Sequence, residues 1–109
     1  MTPIEKRLKA RETNVETGGH TYTLRRPTAA QMARLSDASR LDMVRECVVS
    51  WSLKHIDIYP GGDPVPCEFD AVLWSDYLDD HPEIWTPLAD AILAAIAAHQ
   101  QGIEAAAKN

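Results

Sequence analysis

The segment PGGDPVP at residues 60–66 forbids a continuous helix through the middle of the chain. Proline lacks a backbone N–H and biases the residue before it away from the helical region, while paired glycines favour a turn. Pro60, Gly61, Gly62, Pro64 and Pro66 therefore divide the chain into two amphipathic blocks that must reverse direction here. Just upstream, HIDIY alternates, with Ile56 and Ile58 on one side and His55 and Asp57 on the other. This pattern predicts a miniature hairpin, Ile56–Tyr59 against Val65–Cys67, connecting a helix that ends at Trp51 to one that carries Trp74.

The first block opens with a polar stretch, residues 1–12, which reads as a mobile arm or a short frayed helix. TNVETGGHTYTLRR then places β-prone runs on either side of Gly18-Gly19, predicting a hairpin of Thr13–Thr17 and His20–Arg25. Val15, Tyr22 and Leu24 are the candidates for its inner face, and two strands alone need a helical layer to lie on. Thr28 and Gln31 have capping-box spacing, with Met32 and Leu35 as the inner face of the short helix that follows. Ser39 and Asp42 repeat the cap. Leu41, Val44, Val48 and Trp51, at steps of three, four and three, then predict one helical face with Cys47 beside it as a small buried hydrophobe.

In the second block a helix is predicted from about Phe69, with Phe69, Val72, Leu73, Tyr77 and Leu78 on one face. Pro82 suits a first helical position, and Asp79, Asp80 and Glu83 favour a positive helix N-terminus. Pro87 either kinks the last helix or marks its start with Thr86 as cap. LADAILAAIAAHQQGIEAAA has high helix propensity and an apolar stripe at Leu88, Ala91, Ile92, Ala95 and Ile96, with fraying expected beyond Gly102. The expected fold is mainly α with small β-hairpins (α+β), one compact domain of about four helices. Its N-terminal arm spans residues 1–12, its globular part 13–101 and its frayed tail 102–109.

At 109 residues with 45% apolar and 25% charged residues, the chain reads as a single globular domain. No apolar run reaches the ~20 residues needed to span a bilayer, which predicts no membrane association. Net charge is −5, divided as +4 over residues 1–54 and −9 over residues 55–109. A net-acidic domain without a long basic stripe is a poor nucleic-acid binder, although Lys6, Arg7, Lys9 and Arg11 could touch phosphates. His20, His55, His81, His99, Cys47 and Cys67 share no metal-ligand spacing, so no metal or cofactor is expected. Cys67 has none of the sequence company of a catalytic thiol, and no nucleophile–base pattern is visible. No catalytic residue and no enzyme activity is predicted. Trp51, Trp74 and Trp85 can share a core, but Trp74 and Trp85 flank the core-facing positions, so one is expected to face a partner. The predicted partner-binding surface is Trp74 and Trp85 with Leu88 and Ile92.

The order YTLRRPTAAQMARL, CVVSWSL, GGDPVPCEFDAVLWSDYLDDHPEIWTPLADAI resembles the tail assembly chaperones of long-tailed bacteriophages over roughly residues 22–98. In that family a basic-aliphatic strand leads into P-T-x-x-x, and a helix ends in Trp before a turn like G-x-P-V-P-F. An acidic L-x-D-x-P-E junction then opens an alanine-rich final helix. Cys67 stands here where an aromatic is usual, and Glu68 where Ser or Thr would cap. The resemblance implies a non-enzymatic chaperone in the host bacterial cytoplasm that binds the tape measure protein and assists tail tube assembly. Such a chaperone is absent from the mature virion. The tail tube protein is a further implied partner, and self-association is open. The family also makes a longer product by −1 frameshifting, and Ala107-Lys108-Asn109 is compatible with a slippery A AAA AAC. The alternatives are a tail completion or connector protein retained in the virion, and a small nucleic-acid-binding regulator.

Overall fold

In the computed structural model, which describes residues 1–108, the sheet grows outward from the predicted hairpin. Strands β1 (Glu12–Thr17) and β2 (His20–Arg25) pair antiparallel, with Thr17 opposite His20 and Glu12 opposite Arg25. Gly18 and Gly19 take φ of +61° and +81°, the two left-handed positions that a tight two-residue turn requires. A third strand, β3 (Val48–Trp51), pairs with the other side of β2 and makes it the central strand. Tyr22 and Leu24 point into the core from β2, and their neighbours Thr21 and Thr23 stay half-exposed.

β3 corrects the expected helix through Trp51. Ser39 caps α3 (Arg40–Cys47) by accepting the Asp42 N–H at 3.2 Å, but the backbone becomes extended at Val48. The β-branched pair Val48-Val49 favours that change. Val48 lies opposite Leu24 and Ser50 opposite Thr23, which leaves Val49 as an extra residue in the ladder. This irregularity lets Val48 and Trp51, three apart, both pack on the core, where a regular strand would put them on opposite faces.

The helices select the helical one of the two readings of residues 1–12 and differ from expectation elsewhere. Residues 1–12 contain a helix, α1 (Pro3–Ala10), started by Pro3 and capped by Thr2, whose Oγ1 accepts the Glu5 N–H at 3.2 Å. The expected second hairpin contains a short helix, α4 (His55–Ile58). The last helix, α6 (Trp85–Lys108), continues through Gly102, sustained by its alanine-rich sequence. Pro87 sits in its first turn, where no intrahelical acceptor awaits the missing N–H, so Thr86 is a helical residue and not the cap. Asn109, the end of the proposed slip-site tripeptide and of the expected tail, lies outside the described residues. The capping box of α2 (Ala29–Arg34) forms as predicted. Gln31 N donates to Thr28 Oγ1 at 3.2 Å and Thr28 N to Gln31 Oε1 at 2.8 Å, though Met32 faces solvent.

The helical layer consists mainly of α3, α6 and α5 (Ala71–Asp79), the last capped by Asp70, which accepts the Leu73 N–H at 2.9 Å. The buried stripe of α5 is Trp74, Tyr77 and Leu78, while Val72 is 81% exposed. The predicted face was therefore rotated toward the wrong residues in the first turn. α6 contributes Leu88, Ala89 and Ile92, and α3 contributes Val44 and Cys47. Arg45 ties α3 to α5, donating to the Ser75 carbonyl at 3.2 Å, to Ser75 Oγ, and to Asp79 at 2.9 Å. The architecture is α+β. Six α-helical segments and a three-stranded antiparallel sheet are present among the described residues, in place of about four helices and two hairpins.

Burial, with a smaller effect of the neighbouring Glu46 charge, pushes the Cys47 thiol up to about 11 from its usual 9.0. Burial also raises the Tyr22 and Tyr77 phenols. The folded chain holds these protons at pH values where the unfolded chain releases them. Stability is therefore fully present below about pH 9 and falls as pH rises toward 11, by at most about 1.4 kcal/mol per pH unit for Cys47. Urea unfolding between pH 8.5 and 11 should show a declining midpoint, with a shallower decline in Cys47→Ala. Parallel declines in the two proteins would contradict the assignment to Cys47.

Candidate functional site

The expected partner surface is largely core. Trp74 is 1% exposed, Leu88 0% and Ile92 1%, so none of these can anchor a partner on the folded domain. Trp85 is half-buried, and its Nε1 donates to the Leu78 carbonyl at 2.6 Å. The adjacent Tyr77 carbonyl accepts from His81 Nδ1 at 2.7 Å, and the His81 ring stacks on Tyr77 at 3.8 Å. Trp85 and His81 thus add side-chain donors to the Leu78 and Tyr77 carbonyls, which also accept the backbone N–H groups of His81 and Asp80 at 3.2 Å at the C-terminus of α5.

Three exposed apolar side chains lie instead on the segment from Lys54 to Cys67. Ile56 is 52% exposed, Tyr59 48% and Val65 48%. The backbone beneath them is strongly cross-linked. His55 N donates to the Val65 carbonyl and Ile56 N to the Asp63 carbonyl, both at 3.0 Å, and Gly62 N donates to the Tyr59 carbonyl at 3.2 Å. Lys54 and Pro66 form an isolated antiparallel bridge, the remnant of the expected hairpin. Cys67 N donates to the Leu53 carbonyl at 3.0 Å, and the Trp51 indole N–H donates to the Cys67 carbonyl at 2.8 Å. The base of the loop is thereby fastened to β3, and Leu53 beside it is buried.

Asp57 explains why the alternating HIDIY folds as a helical turn. Its Oδ2 accepts the Lys54 N–H at 2.8 Å, which closes the first turn. Tyr59 OH meets His55 Nδ1 at 3.1 Å one turn away, and their rings contact edge-on. The turn leaves Ile56 exposed, and the backbone bonds at 55/65 and 56/63 bring its limb of the loop against the limb that carries Val65. The signal for this turn was Asp57, a side chain able to accept the backbone N–H three residues earlier, and the apolar alternation masked it.

Cys67 is half-buried with its Sγ directed at the Glu68 carbonyl, 3.6 Å away, and both cysteines are free thiols. Among the described residues no three His, Cys, Asp or Glu side chains gather into a metal-binding group. No described helix is long and apolar enough to cross a membrane.

Gly62 holds the loop shut. A Cβ there would lie 2.6 Å from the His55 carbonyl carbon and oxygen and 2.8 Å from Ile56 N, all backbone atoms that cannot swing aside. Gly62→Ala should cost about 1–3 kcal/mol in urea unfolding, the usual range for overpacking, and should loosen the Trp51–Cys67 bond enough to change Trp fluorescence. An unchanged midpoint and spectrum would show that the loop does not close in this way.

Compared with protein-family models, curated proteins and solved structures, the chain gives no match in any of the three.

Proposed function

We propose that this chain is a non-enzymatic tail assembly chaperone of a long-tailed phage or prophage. It works in the host bacterial cytoplasm, binds the tape measure protein, assists tail tube assembly, and is absent from the finished virion. Two features support this reading. The first is the order of motifs from Tyr22 to Ile92, with the Gly-Pro turn at its centre. The second, which carries the choice of surface, is that this same turn presents Ile56, Tyr59 and Val65 to solvent from a hydrogen-bonded base.

A pre-organised apolar ridge suits the task. Ordering a loop on binding costs free energy, and a loop already held by its own backbone bonds avoids most of that cost. Aromatic and branched aliphatic side chains supply contact area against exposed apolar helices of a long, aggregation-prone client. The negative charge of residues 55–109 keeps the chaperone itself soluble while such a client is bound.

The test is co-expression with a tape measure fragment and pull-down. The triple variant Ile56→Ser, Tyr59→Ser, Val65→Ser alters only exposed side chains and should keep its circular dichroism spectrum while capturing at least about tenfold less fragment, a loss of about 1.4 kcal/mol. Undiminished capture by the folded variant would rule out the ridge. Absence of capture by the unaltered chain would rule out the function.

A further inference from the structure

Arginine pairing singles out one cleft. The chain has seven arginines, and four of them face a carboxylate. Arg25 meets Glu12 at 3.4 Å, Arg34 meets Glu46 at 2.6 Å, Arg40 meets Asp90 at 3.8 Å and Arg45 meets Asp79 at 2.9 Å. The other three, Arg7, Arg11 and Arg26, have no carboxylate partner among the described residues, and all three line a single cleft of about 470 Å³. His99 of α6 joins them there, and no Asp or Glu lines the cleft.

The fold builds this convergence from ordinary parts. Arg7 and Arg11 are four residues apart at the C-terminal end of α1, so they share a face. Arg26 N donates to the Arg11 carbonyl at 2.8 Å, which sets Arg26 beside Arg11 just past the open end of the hairpin. The Arg26 guanidinium donates to the Pro27 carbonyl at 3.2 Å, keeping four of its N–H groups for other partners. Arg11 Nε is shielded from solvent and has no acceptor. Burial, then repulsion from Arg26, Arg25 and Arg7, lowers the Arg11 pKa. A shielded, unsatisfied guanidinium N–H among like charges is costly unless an anion completes it.

The geometry points to a binding site for a compact, doubly charged oxyanion, a phosphate monoester, held by Arg7, Arg11 and Arg26 in the cleft that His99 also lines. Guanidinium forks match phosphate oxygens, and three of them exceed what one carboxylate can satisfy. A phosphoryl group brings about two negative charges and three acceptor oxygens. A polynucleotide fits less well: although residues 1–54 carry +4, Arg25, Arg34, Arg40 and Arg45 outside the cleft are each paired with a carboxylate, which leaves few free cations to follow an extended polyanion. This site uses none of the residues of the apolar ridge and stands independently of the chaperone reading.

The experiment is an amide NMR titration of the full chain with inorganic phosphate, sodium chloride being withdrawn to hold ionic strength constant. Saturable shifts are expected at Arg11, Arg26, Thr28 and His99, with Kd on the order of 1 mM, as suits a five-atom ligand. Arg11→Gln should weaken binding at least about tenfold, the effect of one charge-assisted hydrogen bond. Arg7→Gln, on an exposed helix and so safe for the fold, should weaken it severalfold, and Arg34→Gln, outside the cleft, should change it less than twofold. Non-saturating shifts, or equal weakening by Arg34→Gln, would overturn the site. Binding of a duplex DNA that inorganic phosphate does not displace would also overturn it, in favour of a nucleic-acid surface.

Discussion

The indole of Trp74 is the point at which the sheet, α5 and the central loop are joined. Its ring lies 5.6 Å from Tyr22 on β2, 6.1 Å from Trp51 on β3, 6.5 Å from Phe69 and 6.3 Å from Tyr77. Trp51 in turn meets Phe69 edge-on at 4.9 Å. Each such ring buries on the order of 150–250 Å² and gains about 0.5–1.5 kcal/mol per well-set pair beyond burial. A sheet of three short strands and a helix of nine residues are marginal alone, and this cluster makes each the support of the other.

The same cluster determines what the loop can do. Trp51 uses one edge of its indole to pack on Phe69 and its N–H to hold the Cys67 carbonyl, so the foot of the loop is fixed by the core. Backbone bonds then stack upward through His55, Ile56 and Gly62. Ile56, Tyr59 and Val65 stay exposed on this bonded backbone. Exposure of three apolar groups on a cross-linked support is a stronger sign of a contact surface than scattered apolar residues elsewhere. The arginine cleft follows from a different economy, in which every other arginine has found its carboxylate at home.

Much of this was legible in the residues, and the failures share a cause. Thr28/Gln31, Ser39 and Gly18-Gly19 announced their caps and turn because those features depend on neighbours within four residues. Val48 and Trp51 misled because an extra residue in a strand and one turn of helix both place side chains three apart on the same side. HIDIY misled because the Asp57–Lys54 contact outweighs period-two alternation over so few residues. Trp74 and Trp85 appeared to flank the core-facing positions, and on α5 that reading set Val72, which is exposed, on the inner face in place of Trp74. The true face of α5 is set by tertiary contacts of Trp74 with Tyr22 and Trp51, 52 and 23 positions earlier in the chain, and local periodicity does not report these.

Native-state hydrogen exchange at the loop amides tests most directly the central claim, that this loop is a rigid extension of the aromatic core. The amides of His55, Ile56 and Cys67 should be protected by a factor on the order of 10³ or more and should open together with Tyr22 of the central strand. Exchange of these three amides within about tenfold of the unstructured rate, while Tyr22 stays protected, would contradict it, because the ridge would then be a mobile segment with no support from the core.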